Sequence, residues 1–432
     1  MLKRRSALVF LSTLPALATV GCGDPKGPAR SAINTAWHRR DLTDGLLTPW
    51  LTHAPRPDGS FQLAFERHWQ PRGDAGQTLA GQARFIHALA LGHEATQDAR
   101  MLELARRGAD QLLARYRDTE HGGFFPVLGP DGQPPRTPLK RAEDHALATL
   151  ALAELYRVGR DERFREAALQ AWRQGGARLR DPLGGLADEA SREFQPRPGP
   201  RTLQPLLHMF EALLALHAIS GADDVRDAAR GLGDFVSYKL LQGLPETSGG
   251  GARLPEAFDE AWVARPDKAA GGYFDLGHQF ECAHLLARGV AVSPVYAQVS
   301  ERVLAYALAE GYDEVDGGCL DRAFPDPGLK PDPAKGWWQQ AECLHALVVA
   351  AQASGRADLW RRYEQTLDLV RGELVDDEAG GWRAADALPC QASSCRDEQP
   401  EPWHMVRLHH TALRLAGALP APGGASAAAS AA

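Results

Sequence analysis

The chain has 432 residues, a formal net charge of -7 and 44% hydrophobic residues. That length leaves room for more than one domain. The acidic balance, with no basic stripe to release counterions from phosphates, argues against nucleic acid as a partner.

At the N-terminus Lys3, Arg4 and Arg5 precede an apolar run over residues 7–20, and Cys22 follows Gly21. A run this short, followed at once by Gly, Asp and Pro, reads as an export signal rather than a membrane span. It looks like a bacterial lipoprotein signal over residues 1–21, with Cys22 as the acylated first residue of the mature chain. Ala16-Leu17-Ala18 leaves open ordinary cleavage at a small-residue site. Removing the leader's three basic residues takes the formal charge from -7 to -10. The expectation is an exported protein, periplasmic or on the outer membrane, that meets a membrane only through its lipid anchor. Residues 22–30 then form a tether, 31–419 the folded domain and 420–432, rich in Ala, Gly and Ser, a disordered tail.

From residue 31 onward apolar residues recur at three-to-four spacing, and strand-like alternation is scarce. About twelve helices are expected, starting near residues 31, 78, 95, 141, 161, 203, 222, 278, 294, 337, 357 and 404. Gly-Gly turns recur between alternate helix pairs: Gly122-Gly123, Gly271-Gly272, Gly317-Gly318 and Gly380-Gly381. Repeated helix-loop-helix units with the long loops on one end predict an all-α fold, an (α/α)6 barrel of six helical hairpins. Cys390 and Cys395 flank a polar tetrapeptide and are expected to staple a loop as a disulfide, whereas Cys282, Cys319 and Cys343 fall in apolar helical stretches and suit buried packing.

Three histidines head the candidates for chemistry: His208, His278 and His410. Imidazole titrates nearest neutral pH, so histidines that converge suit proton abstraction and return. His208 with Glu211, and His278 with Glu281, lie three residues apart on a helix and so share a face. Arg84 sits on an otherwise apolar helix face and needs a partner or a polar cavity. Trp338 and Glu342, four residues apart, could offer an indole face to the C–H surface of a sugar and a carboxylate to its hydroxyls.

These residues resemble the N-acylglucosamine 2-epimerase superfamily, which includes cellobiose 2-epimerases and mannose isomerases. The resemblance runs from about Trp37 to Ala418. It rests on Gln82-Ala83-Arg84, on Lys140 and Asp144, on Leu207-His208-Met209-Phe210-Glu211, on Phe258-Asp259-Glu260-Ala261-Trp262 leading to Gly277-His278-Gln279-Phe280-Glu281, and on Trp337-Trp338-Gln339-Gln340-Ala341-Glu342. What it implies is a barrel whose mouth binds an open-chain mono- or disaccharide, with no metal or organic cofactor. The implied chemistry is proton exchange at C2 through a cis-enediolate, giving a sugar 2-epimerase or an aldose-ketose isomerase. Carried over by position, His278 and His410 become the proton-transfer pair, with His409 as the alternative to His410. Arg84 would stabilise the enediolate oxygens, His208 and Glu281 would hold hydroxyls or assist ring opening, Trp338 would wall the site, and Glu211 and Glu342 would add substrate contacts.

The chain departs from the family pattern in lacking a tyrosine before His410, in His87 and Gln204, and in the loop between Cys390 and Cys395. Three other readings compete: a glycoside hydrolase or lyase on the same barrel using Asp144 and Asp259, a glycan-binding lipoprotein without turnover, and a metal site of His208, Glu211, His278 and Glu281.

Overall fold

The computed structural model describes residues 33–73, 77–244, 251–265, 272–326, 328–391 and 393–419. The leader 1–21, Cys22, the tether 22–30, the tail 420–432 and Gly271 lie outside the described residues.

Two kinds of helix alternate. Helices α3 (Leu79–Thr96), α5 (Ala142–Gly159), α7 (Gln204–Ser220), α9 (Leu276–Gly289), α11 (Trp337–Ser354) and α13 (Trp403–Leu415) are largely buried around their circumference. Sequences apolar on most sides need neighbours on most sides. Helices α4 (Ala99–Arg115), α6 (Glu162–Gln174), α8 (Asp223–Asp234), α10 (Tyr296–Gly311) and α12 (Ala357–Leu369) each bury one stripe. The sixth outer position is filled by α1 (Thr35–Arg40), which runs through a π-helical stretch at Asp41–Leu47 into α2 (Thr48–His53).

Each inner helix packs on the next, and α13 returns to α3, closing the ring. The result is the six-hairpin barrel that the repeat predicts. Helix starts fall within four residues of those expected. The shifts are largest at α1 and α4, where Asn34 and Asp98 accept N–H groups of the first turn and fix the start.

The ring has unlike ends. At one, inner helices pass to outer ones through tight turns, with Gln97, Arg160, Gly221 and Gly355 left-handed just past α3, α5, α7 and α11. At the other, long loops lead into the N-termini of the inner helices. Short antiparallel pairs tie neighbouring loops together: β1 (Leu139–Arg141) with β2 (Glu189–Ser191), β3 (Arg201–Thr202) with β6 (Ala257–Phe258), and β7 (Phe274–Asp275) with β8 (Arg322–Ala323). Two further pairs, β4 (Gln242–Gly243) with β5 (Ala252–Arg253) and β9 (Ala384–Ala385) with β10 (Cys395–Arg396), each lie within one loop. Strands of two or three residues carry no alternation, so periodicity does not announce them.

The Gly-Gly turns share a cause. Asp118, Asp313 and Asp376 each stand four residues before a glycine pair, and each exchanges backbone hydrogen bonds with it. Both glycines of each pair have φ between +67° and +86°, where a side chain would strain the backbone. A cation then clasps each turn: Lys140 binds Asp118 Oδ2 and Gly122 O, Lys335 binds Asp313 and Gly317 O, and Arg67 binds Asp376. Lys140 thus serves the rim of the barrel. Cys390 and Cys395 form the expected disulfide, and Cys282, Cys319 and Cys343 are buried thiols.

Candidate active site

The long-loop end gathers the first turns of the inner helices. On α9, Asp275 caps the helix by accepting the His278 N–H at 3.1 Å, and the His278 Nδ1–H donates to Glu256 Oε2 at 2.9 Å. On α13, the second residue, His404, donates from Nδ1 to Glu342 Oε1 at 2.7 Å. Both imidazoles lie against one indole, that of Trp338, with ring centroids 5.1 Å away for His278 and 5.6 Å for His404. Gly277 lets that indole come close, because a Cβ there would fall 2.6 Å from the Trp338 ring. With Nδ1 committed to a carboxylate in each case, Nε2 is the nitrogen left to the mouth.

The two histidines titrate in opposite directions. Burial pushes His278 down, but the Glu256 and Asp275 carboxylates outweigh it and hold the imidazole well above its ordinary value. Burial prevails at His404, which is lowered despite its bond to Glu342. Near neutral pH one ring is therefore an acid and the other a base.

Arg84 reaches the mouth from α3. It binds Glu143 at 3.1 Å and Glu401 at 3.4 Å, and its guanidinium lies over the Trp403 ring, 5.1 Å from the centroid. The Trp403 indole N–H donates to His87 Nδ1 at 2.7 Å; burial holds His87 down at about 4, neutral and able to accept. His208, on α7, lies beneath this layer with 1% of its side chain exposed. Its Nδ1 is 2.7 Å from Glu143 Oε1 and its Nε2 3.5 Å from Glu281 Oε1. Burial opposes protonation there, yet these carboxylates raise His208 to about 9.

The floor is a carboxylate cluster around one cation. Arg407 of α13 binds Glu211 at 3.0 Å, Glu281 at 3.3 Å and Glu342 at 3.2 Å. Arg288 binds Glu211 from behind at 2.6 Å. Burial would keep these carboxyls neutral, but the cations win: Glu211 and Glu281 each fall to about 2, and Glu342 is held well below its ordinary value. Glu211, Glu281 and Glu342, expected to touch substrate, are instead buried and held by protein groups, one layer below the mouth.

Two expectations on α13 fail, because each ring is buried among protein partners away from the mouth. His410 Nε2 binds Glu94 Oε2 at 2.8 Å, alongside Arg157 and Arg414, toward the C-terminal ends of α3, α5 and α13. His409 is fully buried against α1, 2.8 Å from His38 and 2.9 Å from Asp41. Neither ring faces His278. The residue that does share its indole, His404, was missed, as were Arg407, Glu143, Glu256 and Glu401. Pro402-Trp403-His404-x-x-Arg407 held a legible signal, since it sets an imidazole and a cation three apart at a helix start.

The other expected constellations do not assemble either. Asp144 accepts the Ala80 N–H at the start of α3, and Asp259 accepts the Ala261 and Val263 N–H groups in its own turn. His208, Glu211, His278 and Glu281 do not converge as metal ligands; among the described residues that spacing occurs at His284, Glu342 and His345. A cavity of about 730 Å³ lies away from the mouth, between α9, α10, α11 and α12, lined by Ala283, Leu304, Ala346 and Leu359 among others.

Against known proteins, the sequence profile of the N-acylglucosamine 2-epimerase family matches residues 59–400. The chain belongs to that family. It is 30% identical over 340 residues to a mannose-6-phosphate isomerase of Rhizobium meliloti, covering 71% of this chain and 79% of the relative. It is 22% identical over 364 residues to a cellobiose 2-epimerase of Ruminococcus albus, covering 79% of this chain and 88% of that one. A crystal structure of a D-mannose isomerase superposes with a TM-score of 0.77 at 19% identity, over 90% of this chain and 99% of that one, which shows the shared (α/α)6 barrel. The family makes the chain an isomerase-class enzyme, a sugar epimerase or isomerase.

Proposed function

We propose that this enzyme exchanges the C2 hydrogen of an open-chain mono- or disaccharide between His404 and His278, without a metal. The observation that carries the reading is the pair of imidazoles on one indole, each with Nδ1 held by a carboxylate and each shifted in the opposite sense. Neutral His404 takes the C2 proton on Nε2, and the electron pair moves into the enediolate. Protonated His278 then donates its Nε2 proton to the other face of C2 for an epimer, or to C1 for a ketose, in which case the O2 hydrogen passes to O1 and C2 becomes the carbonyl. Solvent resets the two rings.

Arg84 is the accessible guanidinium beside this pair and offers positive charge to the enediolate oxygens, as an aimed cation does for a developing oxyanion. Trp338 supplies the apolar wall against which a sugar ring stacks. The relatives' names suggest mannose, N-acetylmannosamine and cellobiose as trial substrates. Incubated with each in deuterated water, the protein should wash deuterium into C2, and exchange should persist with a chelator present. Absence of exchange with all three removes this reading for those sugars, and loss of exchange on chelation removes its metal-independent form.

A further inference from the structure

Behind the mouth lies a second imidazole pair that the proton exchange does not use. His284, on α9 and fully buried, sits 2.7 Å from Glu342 Oε2 through its Nε2. Its ring stacks on that of His345, centroids 3.8 Å apart and 16° between planes. Glu342 is ionised and can only accept, so the His284 Nε2 carries the hydrogen. The carboxylate is thereby divided: Oε2 to His284, Oε1 to His404 and Arg407.

We propose that His284 is a positioning residue for the sugar reaction: by occupying Glu342 Oε2 it keeps Oε1 turned to His404, which fixes that imidazole as its Nδ1–H tautomer with Nε2 toward the sugar. This rests on the reading of His404 as the base. A carboxylate that holds the tautomer of a catalytic imidazole does so only while its own rotation is blocked; Arg407 of α13 holds Oε1, and the block on Oε2 comes from His284 of α9. The charged and titratable groups facing Glu342 are His284 and Glu281 from α9, His345 from its own helix, and His404 and Arg407 from α13. Of these, His284 is the donor within hydrogen-bond distance of Oε2.

The same three residues have the spacing of a metal site. Stacked rings, however, send their in-plane lone pairs side by side rather than toward one point, which suits a packed hydrogen-bonding pair better than two ligands of one ion. His345 acts as the plate that keeps the His284 ring in plane.

The test compares His284→Phe, which keeps the ring and removes the donor, with His284→Gln, whose amide places an N–H near the position of Nε2. Hydrogen exchange at C2 of mannose, N-acetylmannosamine or cellobiose is the assay. In His284→Phe kcat should fall about tenfold with KM unchanged, because orientation of the base rather than sugar binding is lost. The acid limb of kcat/KM should move to lower pH, since a carboxylate free to turn away no longer steadies protonated His404. His284→Gln should restore both. Wild-type kcat and acid limb in His284→Phe overturn the role of His284, as does stoichiometric metal in the purified protein. If His284→Phe does not fold, the ¹⁵N shifts of His404 in the intact enzyme decide: Nδ1–H supports the proposal and Nε2–H overturns it. An inactive His404→Gln beside an unaffected His284→Phe confines the failure to His284, whereas a fully active His404→Gln removes the underlying reading and the proposal together.

Discussion

At the scale of single residues, position along a helix decides whether a histidine reaches solvent. His404 and His410 share α13, and at 1.5 Å per residue six positions carry a side chain about 9 Å down the axis, from the mouth to the far end of the barrel. His404→Gln should therefore cut C2 exchange at least about a hundredfold, the low end of what positioned acid-base groups supply, while His410→Gln should leave kcat near wild type. Kinetic isotope exchange on both variants checks this. The opposite shifts of His278 and His404 also set the pH profile. In the proposed exchange His404 acts when neutral, and its lowered value puts the acid limb below pH 6.5; His278 acts when protonated, and its raised value puts the alkaline limb well above 6.5. A plateau of kcat/KM across neutrality is expected, and a profile centred below pH 6 would contradict it.

At the scale of elements, the inner helices hold the loops by a repeated device. Gln82, Gln279 and Gln340, each in the first turn of its helix, take both backbone groups of one loop residue: Phe61, Leu254 and Cys319. The loop pinned by Gln279 carries Glu256, the partner of His278. Gln279→Leu strands the Leu254 N–H and C=O, which costs about 1–3 kcal/mol for unpaired buried groups and loosens Glu256. Denaturant melts should show the loss, and the alkaline limb of activity should fall as His278 loses its carboxylate. Gly277→Ala acts at the same junction. A Cβ 2.6 Å from Trp338 forces the indole aside, so KM should rise more than kcat falls in steady-state kinetics.

For the whole molecule, the barrel floor is an ionic core joining α7, α9, α11 and α13. Arg407→Met leaves three buried carboxylates without their shared cation, and breaking such a cluster costs about 3–5 kcal/mol. Chemical unfolding should register a loss of that size. The sign of pH dependence follows from His208. Its folded value of about 9 exceeds the ordinary 6.5, so its stabilisation is complete below 6.5 and is lost as pH rises through about 9, with His278 acting in the same sense. Melting temperature should drop between pH 7 and 9.5, and Glu143→Gln should flatten that drop.

The six hairpins and their starts were legible in the sequence, and Arg84, His278 and Trp338 stood out there as candidates, because helix periodicity, glycine pairs and local motifs are encoded by residues near one another in the chain. His404, the proposed partner of His278, was not. His404, Glu256 and Arg407 gain their meaning from partners far away in the chain, and His410, with His409 as its alternative, is expected at the mouth until the closed ring places both inward and down. Local sequence determined which helices form and which face each buries; only the packing of α13 between α11 and α3 decided which imidazole stands at the mouth, because burial and proton affinity are properties of neighbours that the ring alone assembles.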